Sequence, residues 1–98
     1  MTIEIKRNAE EIVIEIVGRL DTNTAPALDK TISEDVSDSQ NLILDLKGLE
    51  YISSAGLRVI LKAQKIMNAQ GSMKLVGVND SIMEVFDITG FVDILTIE

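Results

Sequence analysis

Residues 41–46, Asn-Leu-Ile-Leu-Asp-Leu, decide the fold. A nearly continuous apolar run of this length reads as a strand buried on both faces, as in a sheet with helical crossovers. Downstream, Lys47 to Ile52 leads into Ser53-Ser54-Ala55-Gly56, and a helix is predicted over about 54–69. Leu57, Val59, Ile60, Leu61, Ala63, Ile66 and Met67 give that helix a wide apolar arc. Gly71 fits its C-terminal cap. Residues 72–78 read as another strand. Asn79-Asp80-Ser81 then caps a short helix containing Ile82, Val85 and Phe86. Thr89-Gly90-Phe91 ends that helix, and residues 93–97 read as a last strand.

Upstream, residues 2–7 alternate polar and apolar, which predicts an edge strand. Asn8-Ala9-Glu10 is a turn. Residues 11–17 are rich in β-branched side chains and predict a second strand, hairpin-paired to the first and ended by Gly18. A loop follows over residues 19–23. Thr24 is placed as an N-cap, with Pro26 in the first helical turn. Ala27, Leu28, Ile32 and Val36 then keep helical spacing through about residue 37, and residues 37–40 form a loop. The order is ββαβαβαβ. It predicts an α/β fold: a mixed β-sheet with helices packed on it and the apolar strands 41–46 and 72–78 near its middle. One domain spans residues 1–98, since the 98 residues match a single domain of ~100–200 residues. The only proline and six scattered glycines leave no linker.

Composition narrows the chemistry. The chain has no His and no Cys. Without His there is no Ser-His-Asp triad and no imidazole base. Without Cys there is no disulfide, thiol nucleophile or zinc–thiolate site. No Gly-x-Ser-x-Gly, Gly-x-Gly-x-x-Gly or Walker pattern occurs. A carboxylate-only Mg²⁺ or Ca²⁺ site stays open on paper, but little of ordinary enzyme chemistry is left, and the expectation is a protein that is not an enzyme, with no cofactor and no metal. Nine basic residues against sixteen acidic ones give a net charge of −7. That balance disfavours nucleic acid and anionic membrane surfaces as partners. The start has no signal-peptide character, and no segment approaches the ~20 apolar residues of a bilayer span. A cytoplasmic location is expected.

Three features remain. Ser53 and Ser54 sit at a helix start, where free N–H groups and the helix dipole favour an anion. Gly56 would let backbone amides approach it, and Arg58 lies one turn on, where it could pair with a phosphate. The same serines also suffice as a plain N-cap. Next, Arg58, Lys62 and Lys65 share one face of the helix. A net charge of −7 with +3 on this segment leaves −10 for the rest of the chain. The stripe is either a solvated face or a dock for an acidic partner. Finally, Leu20-Asp21-Thr22-Asn23-Thr24 is turn and cap chemistry, yet its loop can share a sheet edge with the serine loop. Asp45, inside an apolar strand, needs hydrogen-bond partners, and amides of a neighbouring loop are expected to supply them.

With these pieces in place, the chain resembles a STAS domain of the stand-alone bacterial anti-sigma factor antagonist kind. The stretches that carry the resemblance are Gly18-Arg19-Leu20-Asp21-Thr22-Asn23-Thr24-Ala25-Pro26, Leu42-Ile43-Leu44-Asp45-Leu46 and Tyr51-Ile52-Ser53-Ser54-Ala55-Gly56-Leu57-Arg58-Val59-Ile60-Leu61. The resemblance implies binding to an anti-sigma factor that is also a serine kinase of the GHKL type, which frees the sigma factor. It implies that the kinase uses ATP to phosphorylate a serine at the start of the second helix, and that a PP2C-type phosphatase reverses this. Carried over by position, the acceptor is Ser54. Many members have Asp before the acceptor; here Ser53 stands there and is a competing acceptor. Ala55 replaces a frequent second Ser. The implied partner surface is Asp21, Thr22, Asn23, Ser53, Ser54, Ala55, Gly56 and Arg58. A partner-switching or scaffold module of another signalling or transport system is the alternative.

Overall fold

The computed structural model describes residues 1–36 and 38–98. Strands β1 (Thr2–Arg7) and β2 (Glu11–Leu20) are followed by helix α1 (Ala25–Asp35), β3 (Asn41–Asp45), β4 (Leu49–Ile52) and α2 (Ser54–Gln70). Strand β5 (Ser72–Val76), helix α3 (Asp80–Thr89) and a 3₁₀ turn (Phe91–Asp93) complete the chain. Ser37, placed by the sequence at the helix–loop boundary, lies outside the described residues.

The sheet runs β1-β2-β3-β5, with β4 pairing β2 beyond the end of β3. The β1–β2 pair is antiparallel; the others are parallel. The expected mixed sheet with helices packed on it is what forms. The ββαβαβαβ order holds with two modifications. The short strand β4 is added before α2. The last β is reduced to a single parallel bridge, Leu75 with Ile97, because residues 91–93 coil into the 3₁₀ turn.

Period-two burial explains the layering. Ile12, Ile14 and Ile16 of β2 point inward, in register with Leu42 and Leu44 of β3 and then Met73 and Leu75 of β5. Leu28 and Ile32 of α1, Ile60 and Met67 of α2 and Phe86 of α3 join them in one core. Burying side chains of this size stabilises by about 1.5–3 kcal/mol each. The opposite face of the sheet is only half-covered. Strand β3 is therefore not buried on both faces: Ile43 and Asp45 are half-exposed. The apolar run arose because Ile43 stands in register beside Val13, and the two shield each other.

The order also corrects the expected centre. Strands β2 and β3 are central, whereas among the described residues the free side of β5 meets just the C-terminal bridge. Gly18 does not end β2. With φ +99° it sits at a register shift, and β2 continues through Arg19 and Leu20 to pair with β4. Glycine suits such a bulge because it tolerates positive φ.

Candidate partner-binding site

The continuation of β2 builds the site. Pairing of Arg19 with Tyr51 and Leu20 with Ile52 brings the end of β2 against the segment that feeds α2. The Ser53 N–H then donates to the Leu20 carbonyl at 2.9 Å. The two loops expected to share an edge are thus joined by the main chain.

The first loop is closed by Asp21. Its Oδ1 accepts from the N–H groups of Asn23 at 3.0 Å and Thr24 at 3.1 Å. Thr24 occupies the N-cap position of α1, but its hydroxyl makes no cap bond. It donates instead to the Arg19 carbonyl at 2.7 Å and accepts from the Asp21 N–H at 2.8 Å. The side chain of a turn aspartate satisfies the local amides here, which is the competing chemistry short polar residues offer. Partial burial works to raise the Asp21 pKa. The Thr24 and Asn23 amides, the Thr24 hydroxyl and the Arg19 guanidinium outweigh it and hold the carboxyl below its ordinary value. Thr22 and Asn23 stand exposed at the tip.

The second loop separates its serines. Ser53 is the N-cap of α2, and its Oγ accepts from the Gly56 N–H at 3.4 Å. Ser54 is the first residue of the helix and is exposed. Gly56 is buried, and a Cβ there would come within 2.7 Å of Leu20 Cγ and 3.0 Å of Ile52 Cγ1. Its lack of a side chain serves packing against β2 and β4, not access for an anion.

Ala55 and Arg58 face α1. Together with Lys62 they form one wall of a groove of about 320 Å³ whose other wall is Thr22, Pro26 and Asp29. The expected basic stripe is divided. Lys62 Nζ lies 2.6 Å from Asp29 Oδ1 and donates to Ser33 Oγ at 3.0 Å. Arg58 and Lys65 pair with no carboxylate among the described residues.

Asp45 is neither buried nor held by a neighbouring loop, contrary to expectation: its Oδ1 accepts from the Lys47 N–H, two residues on, at 3.1 Å. It does so on the half-exposed face, where Lys47 Nζ lies 3.5 Å from Asp45 and 3.6 Å from Glu15. Asp45 first and Glu15 next raise the Lys47 pKa. Sequence reasoning missed one contact beside the site, the Arg19 guanidinium stacked 4.1 Å from the Tyr51 ring centroid. Only the unforeseen β2–β4 register brings those two together. Among the described residues, no group of three His, Cys, Asp or Glu is placed to hold a metal. None of the described helices is long and apolar enough to cross a membrane.

The profile of the STAS domain family matches residues 2–98. The chain belongs to the STAS domain family. Within it, the chain is similar to the anti-sigma-B factor antagonist of Bacillus subtilis, 32% identical over 98 residues that cover 99% of this chain and 90% of that protein. It is 34% identical to the anti-sigma-B factor antagonist of Listeria monocytogenes, covering 100% of this chain and 89% of that one. Among solved structures, an anti-sigma factor antagonist from Mycobacterium paratuberculosis superposes with a TM-score of 0.89 at 23% identity, covering 98% of this chain and 83% of that one. The antagonist SpoIIAA in its unphosphorylated form gives a TM-score of 0.78 at 18% identity, covering 99% and 87%. These superpositions establish the shared fold.

Proposed function

We propose that this chain is an anti-sigma factor antagonist whose partner is an anti-sigma factor with serine-kinase activity. In this reading the unmodified serine edge docks on the kinase and releases the sigma factor. Transfer of a phosphate from ATP to Ser54 weakens the complex, and a PP2C-type phosphatase restores it. The chain acts as a binding protein and substrate rather than as a catalyst, consistent with its lack of His and Cys.

The observation that carries the reading is the division of labour between the two serines. Ser53 Oγ is engaged in the cap of α2, whereas Ser54 is exposed on the first turn. A kinase reaches the second more readily than the first. The helix dipole and the free amides tolerate a phosphate there in the unbound protein. In a packed interface, a charge of ~ −1.5 to −2 is costly if the partner surface is apolar or acidic. A coupling of ~1.4 kcal/mol already changes affinity tenfold.

The test is mass spectrometry after incubation with candidate kinases and ATP. A phosphate on the peptide spanning residues 48–62, mapped to Ser54, supports the reading. Mapping to Ser53 corrects the acceptor while keeping the mechanism. No modification by any kinase that binds the protein contradicts it.

A further inference from the structure

We propose that the free edge of β1 is a self-association surface, on which two copies of this chain pair β1 against β1 in antiparallel register about a two-fold axis at Ile5. Strand β1 ends the sheet, and among the described residues it pairs with β2 alone. Exposed sheet edges are normally blocked by proline, a bulge, charged side chains or a covering segment; this edge carries Glu4, Lys6 and Arg7, of which the first two can pair across a two-fold axis. Here the pairing with β2 runs unbroken from Thr2 with Val17 to Arg7 with Ile12, so the edge is straight over six residues. Five of those six residues are exposed. Ile5 is 37% exposed although it stands in register with the buried Ile14.

Charge selects the register. Glu4 and Lys6 lie on the outward face, on either side of Ile5. Neither forms an ion pair among the described residues, whereas Arg7 is held by Asp35. In an antiparallel pair, directly opposed residues share a face. With Ile5 on the axis, Glu4 of each copy stands opposite Lys6 of the other. The two Ile5 side chains meet on the helix side and cover each other. Moving the axis to Glu4 opposes two carboxylates, and moving it to Lys6 opposes two ammonium groups; both are destabilising. The edge is thus complementary to itself in one register, which suits the isologous contact of a two-fold dimer. Strand directions reverse across the axis, so the two Ser54 edges point away from each other and both stay open.

The absence of cysteine makes the test direct. Opposed residues in an antiparallel pair have Cα atoms about 4.5–5.5 Å apart, within the span of a disulfide. Ile5→Cys should therefore form a disulfide-linked dimer on mild oxidation at least about tenfold faster than Glu4→Cys, which sits off the axis. It should also outpace Ile88→Cys on α3, where the native side chain is 78% exposed. Sedimentation velocity on the cysteine-free chain supplies the second arm. Glu4→Lys and Lys6→Glu should each weaken the dimer at least about tenfold, and the double reversal should restore it. The charge variants are outward-facing and decide the question even if Ile5→Cys fails to fold. Equal cross-linking rates for the three cysteines, a wild-type monomer up to millimolar concentration, or a double reversal no better than the single ones overturns the proposal. A heterologous strand captured by wild-type monomer alone also overturns it.

Discussion

The Ser53 N–H donates to the Leu20 carbonyl at 2.9 Å, so the last residue of β2 and the cap of α2 are tied through the main chain. Gly56 completes that joint by letting α2 settle on Leu20, whose Cγ would lie 2.7 Å from an added Cβ. Gly56→Ala gains about 1 kcal/mol of helix propensity. It also forces a methyl group into packed side chains, a strain of about 1–3 kcal/mol. The expected net result is a destabilised protein, read as a lowered denaturant midpoint. An unchanged or raised midpoint would show that the joint has room that the packing denies.

The serines should separate stability from modification. Ser53→Ala removes the acceptor for the Gly56 amide and should cost about 1 kcal/mol of folding stability. Ser54→Ala makes no cap bond to lose, so its unfolding curve should overlay the wild type while phosphate incorporation disappears. Denaturant titration and kinase labelling of the same two samples check both halves.

Asp21 predicts a pH signature. Its folded pKa is depressed, so its stabilising effect is fully present above the unfolded aspartate value of about 3.9 and is lost as pH falls through the lower folded value. Asp21→Asn keeps an acceptor oxygen but cannot titrate. The stability gap between wild type and Asp21→Asn should be full at neutral pH and close on acidification below that range. A gap that widens in acid would reverse the sign and remove the hydrogen-bond account of the loop.

Arg58 and Lys62 share a helix face but should behave differently. Lys62 is tied to Asp29 in a pair with both side chains nearly half-exposed, so Lys62→Gln should cost less than about 1 kcal/mol. Arg58 has no carboxylate partner among the described residues. Arg58→Glu should leave the midpoint unchanged and weaken an acidic partner by about tenfold or more, seen in titration calorimetry.

These contrasts also show how far the sequence could be read. Alternation in residues 2–7 and 11–17 and helical spacing after Ser53 marked most of the sheet and α2, because period-two and period-3.6 burial write themselves directly into side-chain choice. Strand β4 was hidden: four residues with two exposed in the middle give no period. The role of Gly18 was hidden for the same reason, since a strand-ending glycine and a bulge glycine look alike until the partner strand is known. That one register carries the stack of Arg19 on Tyr51 and the contact of Gly56 with Leu20, both invisible to spacing. At the site, the hydroxyls at the helix start were legible. Which serine caps and which stands free depended on where α2 begins, a matter of one residue.

The most direct measurement of the central claim compares one kinase partner binding three proteins: wild type, Ser54→Ala and the chain carrying phosphoserine at position 54. Binding is followed by calorimetry without ATP. The account predicts equal affinity for the first two and at least about a tenfold loss for the third. Equal affinity for all three would contradict it.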